Sequence, residues 1–367
     1  MEDQVIAAFA ISDYQQVVRL LKQWQAREPK SPLLKLYAAQ LQEKTNRLAA
    51  AEKTYLKLLR QSSHRKIISQ ARAGIQRIQA QQAAQKAQQK AEQLAAAKAI
   101  SGSEEIALFA IAPPKPTERK AAIQAIADTF SLDLYTARQK LPASGLRLHR
   151  IGGLGDLNYY AQQLASAHIP TICLTAQAIK ALETFQICYF ETLQPQATVI
   201  CKNADGQLGK ISFDWGEVSQ QVSGQLPIFE QVVDLGNWGR TIHKEKVQDY
   251  AQVHDLHLQG RQIVLRVCDR TYQYQQGIQL SPPPERNSRI QWNKLQQHIR
   301  ASVKTPHHTD FSKFGTGALE FINLLPAIEP NLDIDRRAPS DWDLAFHLFS
   351  SLHFFSEWAA IRIRVNS

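Results

Sequence analysis

Two histidine pairs are the residues in this chain whose types and spacing best suit metal binding or general base catalysis. His254 and His257 lie in the segment HDLH, and His307 and His308 follow Pro306. In a strand, a separation of three residues places two side chains on opposite faces, which disfavours a shared metal for the first pair. The second pair lies in a polar segment, for which an exposed loop is the simplest prediction.

Four acidic residues in or near predicted strands are the other candidates for proton transfer. General acid–base catalysis needs two groups within reach in space, and nothing in the spacing pairs these four, which are Asp214, Glu217, Asp234 and Asp269. No Ser, Cys or Lys occupies a recognisable nucleophile elbow. The sequence therefore predicts no catalytic, cofactor-binding or metal-binding residues. An enzyme ranks third among the functions considered, and ionisable groups clustered in a deep pocket of the β-rich region would favour it.

The cysteines and one glycine-rich segment have simple structural interpretations. Cys173, Cys188, Cys201 and Cys268 form no C-x-x-C pair and are flanked by strand-type apolar residues. They are predicted to be small buried side chains in a reducing compartment, with a zinc site as the minor alternative. The segment RIGGLGD, residues 150–156, matches neither G-x-G-x-x-G nor a Walker motif. It predicts a turn into a helix capped near Asp156, with a phosphate cradle as the minor alternative.

The charge of the chain is concentrated at one end. Of a formal net charge of +10, residues 1–100 contribute all, with 17 Lys and Arg against 7 Asp and Glu, while residues 101–367 hold 26 of each. A local surplus of this kind attracts nucleic acid, an anionic membrane or an acidic protein. The alternative is a solvated basic surface without a dedicated partner.

Composition predicts a globular chain of several domains. Hydrophobic residues make up 44% of the 367 residues, a normal value for a folded protein. The segment MEDQVIAAFAISDY lacks the features of a signal peptide, and no uncharged apolar run reaches about 18 residues. We therefore predict a cytoplasmic protein. The segment 345–361 is predicted to form a buried helix, with an interfacial helix, and hence a location peripheral to a membrane, as the alternative.

Residues 1–78 carry a helical pattern that repeats after 34 residues. Tyr14, Val17, Leu21 and Trp24 form an apolar stripe, which recurs at Leu48, Ala51, Tyr55 and Leu58. Thirty-four residues is the tetratricopeptide period, and the segment resembles a short array of two such units plus a closing helix. The resemblance implies a concave protein-binding surface, whose predicted lining is Leu33, Leu36, Gln40, Lys44 and Arg77. An ordinary helical bundle that caps the rest of the chain is the alternative.

Residues 79–103 are rich in Gln and Ala and contain no large apolar face. Both residue types favour helices, so we predict a semi-rigid helical spacer that ends at a flexible joint, Ser101-Gly102-Ser103. A disordered tether is the alternative.

Residues 104–175 predict a small domain with the element order β-α-α-β-α-β. This order, with the segments AAIQAIADTFSLDLYTARQKL and YYAQQLASAHIPTICL, resembles the C-terminal domain of the bacterial ribosomal stalk protein. In that family, basic residues on the first helix recruit translation factors. Arg119 keeps one such charge here, while Gln124 and Ala127 occupy two others. The resemblance therefore implies a reused protein-interaction scaffold.

Residues 185–303 predict a β-rich domain closed by a helix that contains Trp292. Seven segments have strand patterns, the last of them RTYQYQQG at residues 270–277. A run of antiparallel strands closed by one helix resembles a pleckstrin-homology-like barrel, which implies a protein- or lipid-binding surface; a generic small barrel is the alternative. Residues 304–367 predict helices that pack on this body, with a core stripe at Phe346, Phe349, Leu352, Phe355 and Trp358.

The predicted fold class is therefore multi-domain, with an all-α helical repeat and spacer, a small α/β domain and a barrel-like β-rich domain with C-terminal helices. The predicted function is a non-enzymatic adaptor or assembly factor that binds protein partners in a larger complex. A membrane-associated complex is one of the settings considered. No cofactor is predicted. The basic arm of this adaptor consists of Lys57, Arg60, Arg65, Lys66 and Arg72. The alternative is an RNA- or ribosome-associated protein, although no standard RNA-binding motif is present.

Overall fold

The computed structural model describes residues 1–100, 102–235, 241–280, 287–336 and 338–365, with the backbone alone for 231–235, 241–244 and 357–365. Within these ranges the chain is a multi-domain α+β protein with twelve α-helices, one large mixed sheet and one small antiparallel sheet. It divides into two compact units, Met1–Ala95 and Ala96–Ser367, called here the N-terminal and C-terminal units.

The N-terminal unit is built from five helices. They are α1 Glu2–Ala10, α2 Tyr14–Arg27, α3 Pro32–Lys44, α4 Leu48–Gln61 and α5 Arg65–Lys98, the last of which continues past the boundary between the units. The Asp13 side chain caps α2 by accepting from the Gln16 N–H, and Pro32 begins α3, where a missing N–H costs nothing. Helix α5 contains almost all of the Gln/Ala segment, which is therefore helical, as the sequence predicts.

Two apolar clusters form the core of the N-terminal unit, one mainly from α1, α2 and α3 and one from α3, α4 and α5. Helices α2 and α4 each have 14 residues. Val17, Leu21 and Trp24 are buried on α2, and Ala51, Tyr55 and Leu58 are buried on α4. The apolar stripes that the sequence identifies are thus the core-facing sides of both helices.

Gly74 allows α4 and α5 to pack closely. A Cβ atom at Gly74 would lie 2.5 Å from the ring of Tyr55, which is fully buried. Glycine inside a helix costs about 1 kcal/mol relative to alanine, so its presence here indicates a packing requirement.

The small sheet of the C-terminal unit has the element order that the sequence predicts. Strand β1 Ile106–Ile111 lies between β2 Arg147–Gly153 and β3 Thr171–Thr175, antiparallel to both. Helices α6 Arg119–Phe130 and α7 Leu134–Lys140 connect β1 to β2, and α8 Leu154–Ala165 connects β2 to β3. Helix α9 Ala176–Lys180 follows. Ser103, predicted to lie in a flexible joint, is 7% exposed and accepts the Gly155 N–H at 2.8 Å, so this end of the joint is ordered; Ser101 lies outside the described residues.

The large sheet has seven strands in the order β10-β7-β8-β9-β4-β5-β6. Their bounds are β4 Glu183–Thr192, β5 Ala197–Lys202, β6 Leu208–Phe213, β7 Gln220–Leu235, β8 Thr241–Leu258, β9 Ile263–Cys268 and β10 His307–His308. Two pairs are parallel, β4 with β9 and β7 with β10, so the prediction of antiparallel strands throughout was wrong. Residues 270–277 form turns, so the strand predicted there was also wrong.

Three further helices cover the sheets. They are α10 Ser288–Ser302, α11 Phe311–Ala318 and α12 Asp341–Val365, and short 3₁₀ turns lie at Pro116–Glu118, Trp215–Glu217, Gln259–Arg261 and Ile322–Leu324. One apolar cluster joins β4, β5, β6 and β9 to α10. A second joins the small sheet to β7, β8, α11 and α12, so the apolar core of the C-terminal unit continues from one sheet to the other.

The predicted aromatic stripe of α12 belongs to this core. Phe346, Phe349 and Leu352 are fully buried and Phe355 is partly buried, while the Trp358 side chain lies outside the described residues. Among the described helices, none has the length and apolar character needed to cross a bilayer.

Candidate functional site

The basic arm residues lie on the surface of the N-terminal unit. Lys57 and Arg60 on α4 and Arg65, Lys66 and Arg72 on α5 are all exposed. Within residues 1–100, all of which the structure describes, none of these five side chains has an ion-pair partner. Their charges are therefore available to a partner molecule.

The sequence around the basic arm contains no compensating acid. Residues 53–91 include nine Lys and Arg and no Asp or Glu. Lys53, Lys57 and Arg60 follow the spacing that places side chains on one face of α4. Arg65 and Lys66 lie in the first turn of α5, where the helix dipole disfavours cations. An anionic group bound beside Arg65 and Lys66, at the start of α5, would relieve that unfavourable interaction.

The predicted concave lining is only partly accessible. Leu36 is fully buried between helices, so its prediction as a groove residue was wrong. Leu33 is partly buried against both apolar clusters, because it lies where α3 meets its neighbours. Gln40 is partly exposed and Lys44 exposed, but the five residues do not form one open surface.

Arg77, the fifth residue of that set, forms an ion pair with Glu43 within the N-terminal unit. Its Nε lies 2.7 Å from Glu43 Oε1 and a terminal nitrogen lies 2.9 Å from Oε2, and the Tyr55 hydroxyl donates to Oε2 at 2.7 Å. Burial alone would raise the pKa of Glu43, but hydrogen bonds from Arg77 and Tyr55 outweigh it and lower that pKa. Arg77 thus ties α5 to α3.

The C-terminal unit contains a buried ion pair that the sequence did not predict. Asp255 on β8 stands directly opposite Arg266 on β9, and both side chains are 0% exposed. The guanidinium donates to both carboxylate oxygens, at 2.8 and 2.6 Å, and also to the Pro330 carbonyl. Desolvation would raise the pKa of Asp255, but Arg266 holds it below its usual range. In the sequence, this ion pair was indicated only by Arg266, a charged residue within the otherwise apolar strand IVLRVC.

The HDLH histidines lie on opposite faces of β8, as the sequence predicts. His254 Nδ1 lies 2.6 Å from Gln296 Oε1 on α10, and His257 Nε2 lies 2.9 Å from Ser350 Oγ on α12. His307 and His308 were predicted to lie in an exposed loop, which was wrong: both are partly buried in β10. His307 stacks on His254 with ring centroids 5.0 Å apart, and His308 stacks on His353 at 3.7 Å.

The buried histidines are neutral at physiological pH. Burial lowers the pKa of His254 to about 4, of His257 and His347 to about 3, and of His353 to about 2. The contact of Asp255, Ser350 and His257 is not a nucleophilic triad. Ser350 Oγ donates its only proton to Asp255 Oδ2 at 2.6 Å, so His257 has no hydroxyl proton to remove.

The remaining candidates are used within the fold. Glu217 pairs with Arg261 at 2.7 Å and closes a capping box with Asp214, while Asp269 accepts from the Gln252 N–H at 2.9 Å; the Asp234 side chain lies outside the described residues. Cys188, Cys201 and Cys268 are buried, Cys173 is partly buried, and all four are free, with thiol pKa values raised by burial.

The glycine-rich segment 150–156 cannot cradle a phosphate. The N–H groups of Leu154 and Gly155, at the start of α8, donate at 2.8 Å to the carbonyls of Glu105 and Ser103. A Cβ at Gly155 would lie 2.9 Å from the Ala97 carbonyl oxygen, so the glycine accommodates neighbouring backbone. Asp156 does not cap α8 but lies in its first turn, 3.3 Å from the Lys98 ammonium group.

No group of three or more His, Cys, Asp and Glu side chains in the described ranges is arranged to hold a metal ion. Comparisons with protein-family models, with curated proteins and with solved structures found no match to the chain.

Proposed function

We propose that the chain is a non-enzymatic adaptor or assembly factor whose basic arm binds an acidic protein surface, while the C-terminal unit provides further interaction surfaces. The observation that supports this most directly is the set of five exposed, unpaired cations within residues 53–91, a stretch without a single acid. Exposed charges of this kind steer and orient a partner of opposite charge.

An acidic protein fits the arm better than nucleic acid or a membrane. Among Phe, Tyr and Trp, residues 53–91 contain only Tyr55, which is fully buried, so the exposed imidazole of His64 is the one ring that the arm offers for base stacking. The distal half of α5 contains Leu94 as its only large apolar residue and has no apolar face for insertion into a bilayer. In this proposal the tetratricopeptide-like arrangement of α1–α5 presents the arm.

The alternative, an RNA- or ribosome-associated protein, would use the arm together with the stalk-like segment 104–175. Arg119, a basic residue that the stalk resemblance carries over, donates to the Pro142 carbonyl at 3.1 Å. Because that charge is used within the domain, we favour the adaptor. The pleckstrin-homology-like reading of the large sheet adds no specific partner.

The test compares the full chain with two variants of equal charge. In the arm variant, five cations become Gln: Lys57→Gln, Arg60→Gln, Arg65→Gln, Lys66→Gln and Arg72→Gln. In the control, five exposed cations of the C-terminal unit change in the same way: Lys115→Gln, Lys120→Gln, Arg138→Gln, Lys180→Gln and Lys304→Gln. Each serves as bait in native lysate, with and without nuclease, and captured proteins are identified and then titrated in purified form.

We expect an acidic protein that the parent and the control bind after nuclease treatment and that the arm variant binds at least tenfold more weakly. Loss of the captured material on nuclease treatment would support the RNA alternative instead. Equal binding by the arm and control variants would refute a role for the arm.

A further inference from the structure

A cleft with an acidic rim lies in the C-terminal unit, where the start of β4, the turn between β5 and β6, residues 327–331 and α12 meet. Its volume is about 410 Å³, within the usual range of small-molecule pockets, about 300–1,000 Å³. The lining includes exposed charged residues and buried polar ones: Lys180, Glu183, Asp205 and Glu329 are exposed, and Thr184 and His347 are buried. The cleft therefore has a charged rim and a buried floor.

The imidazole of His347, at this floor, has no hydrogen-bond partner among the described residues. The residue is 3% exposed, and its Nδ1 is fully buried and unpaired. Its Nε2 is also unpaired but is not fully buried, so the small exposed part of the side chain includes Nε2. Because His347 lines the cleft, Nε2 is the ring nitrogen that a ligand can reach.

A ligand that bonds to Nε2 would relieve an unfavourable feature of the fold. Burial lowers the pKa of His347 to about 3, so the ring is neutral at physiological pH, with one N–H and one acceptor nitrogen. In either tautomer both nitrogens lack a partner in the described part of the chain. Unpaired buried polar groups are costly, so this floor favours a hydrogen-bonding ligand.

The charge of the rim favours a cation. Three carboxylates, those of Glu183, Asp205 and Glu329, stand against Lys180, the one cation among the described lining residues. None of these carboxylates forms an ion pair with a described residue. They repel an anion and attract an ammonium group. An ammonium group only donates, so at Nε2 it selects the tautomer with the proton on Nδ1.

Floor and rim offer separate positions for positive groups, because His347 is buried on α12 whereas the three carboxylates are exposed. We propose that this cleft binds a small aliphatic diamine, with one ammonium group on His347 Nε2 and the other against the rim carboxylates. The proposal is independent of the basic arm, which lies in the N-terminal unit.

Isothermal titration calorimetry of the full chain at pH 7.5 tests the proposal with four probes. Putrescine and cadaverine carry two ammonium groups, butylamine carries one, and 1,4-butanediol carries none. We expect putrescine or cadaverine to bind at least tenfold more tightly than butylamine, and 1,4-butanediol not to bind. Absence of binding by both diamines, or equal affinity for butylamine, would overturn the proposal.

Two variants assign the contacts. The rim variant, Asp205→Asn with Glu329→Gln, should reduce the preference for diamines over butylamine at least fivefold. Its control, Glu104→Gln with Glu320→Gln, removes two exposed carboxylates outside the lining and should leave that preference unchanged. His347→Phe keeps a ring in the core and should weaken diamine binding at least fivefold.

The rim variant changes only exposed side chains, so it is compatible with folding even if His347→Phe is not. An unchanged preference in the rim variant, or an equal loss in its control, would overturn the proposal. Unchanged diamine binding by a folded His347→Phe protein would overturn the contact at the floor.

Discussion

In the N-terminal unit the charged side chains lie outside an apolar core, whereas the described part of the C-terminal unit buries an Arg, two Asp and four His. Residues 1–95, all of them described, contain no buried polar or charged residue. In the C-terminal unit Asp255, Arg266, Asp343, His254, His257, His347 and His353 are all buried. The net charge is nevertheless larger in the N-terminal unit, with 16 Lys and Arg against 7 Asp and Glu in residues 1–95 and 27 against 26 in residues 96–367.

This difference separates two uses of charge. An exposed cation contributes little to stability and is free to meet a partner. A buried one is desolvated and must be paired within the fold, as Arg266 is with Asp255. The N-terminal unit is therefore suited to electrostatic recognition, and the C-terminal unit depends on internal polar contacts for its stability.

Mild acid should produce the largest difference in stability between the two units. His254, His257, His347 and His353 have pKa values depressed by burial, to about 4, 3, 3 and 2. Below about pH 6.5 the unfolded chain binds protons that the folded unit excludes, so stability falls as the pH falls towards these values. The loss is up to ~1.4 kcal/mol per histidine and pH unit. Asp343, whose pKa burial raises to about 6, offsets part of it.

In the N-terminal unit, Glu43 has a lowered pKa, so its contribution is present above about pH 4.5 and is lost only in stronger acid. Urea unfolding at pH 7.5 and 5.5, followed by a hydrogen-exchange pulse at one fixed pH and mass spectrometry of peptides, reports the two units separately. We expect the midpoint for peptides from 96–367 to fall and that for 1–95 to stay. Equal shifts for both sets of peptides would contradict the attribution of acid sensitivity to the buried histidines of the C-terminal unit.

Removing one member of the buried ion pair should have the next largest effect. Arg266→Met leaves the Asp255 carboxylate buried without its partner, and we expect a loss of about 3–5 kcal/mol in the unfolding free energy of the C-terminal unit. The double change with Asp255→Leu should recover most of that loss. Arg138→Met, an exposed position, serves as the control and should change stability by less than ~0.5 kcal/mol. A single variant as stable as the control would show that the pair contributes nothing.

Elements with a clear local pattern could be predicted from the sequence. The order of strands and helices in 104–175 and the helical stripes at Val17, Leu21, Ala51 and Tyr55 follow from hydrophobic periodicity. Residues 270–277 alternate like a strand, but their tyrosines anchor a turn: the Tyr272 hydroxyl accepts from the Phe190 N–H, and the Tyr274 hydroxyl donates to the Asp269 carbonyl. A period of two alone does not identify a strand.

The sites depend on contacts between residues distant in the chain. Asp255 meets Arg266 only through the register of β8 and β9, and His254 meets Gln296 only because α10 packs on β8. Nothing in the one-dimensional spacing contains either pairing. Exposure was predictable for Lys57, Arg60, Arg65, Lys66 and Arg72, because long charged side chains are rarely buried. The prediction that Leu36 lines a groove was wrong, because the register of a repeat says little about which helix covers a given face.

Gly74→Ala tests the close packing of α4 and α5 in the N-terminal unit. Helix propensity alone predicts a gain of about 1 kcal/mol. The added Cβ would lie 2.5 Å from the Tyr55 ring, so we expect a net loss of about 1–3 kcal/mol instead. Thermal and urea unfolding of the N-terminal unit measure the sign, with Gln76→Ala at an exposed site of α5 as the control. A stabilised Gly74→Ala would mean that α4 and α5 can move apart without cost.

The smallest expected effect distinguishes two arginines on α5. Arg77→Gln removes the ion pair to Glu43, and because Arg77 is exposed we expect the free energy of unfolding to fall by only about 0.2–1 kcal/mol. Arg72→Gln should change it by less, because Arg72 has no ion-pair partner within residues 1–100. Each variant removes one positive charge. If the basic arm binds an acidic protein, Arg72→Gln should weaken partner binding without affecting urea unfolding, whereas Arg77→Gln should shift unfolding. The reverse pattern would assign the partner contact to Arg77 and the structural role to Arg72.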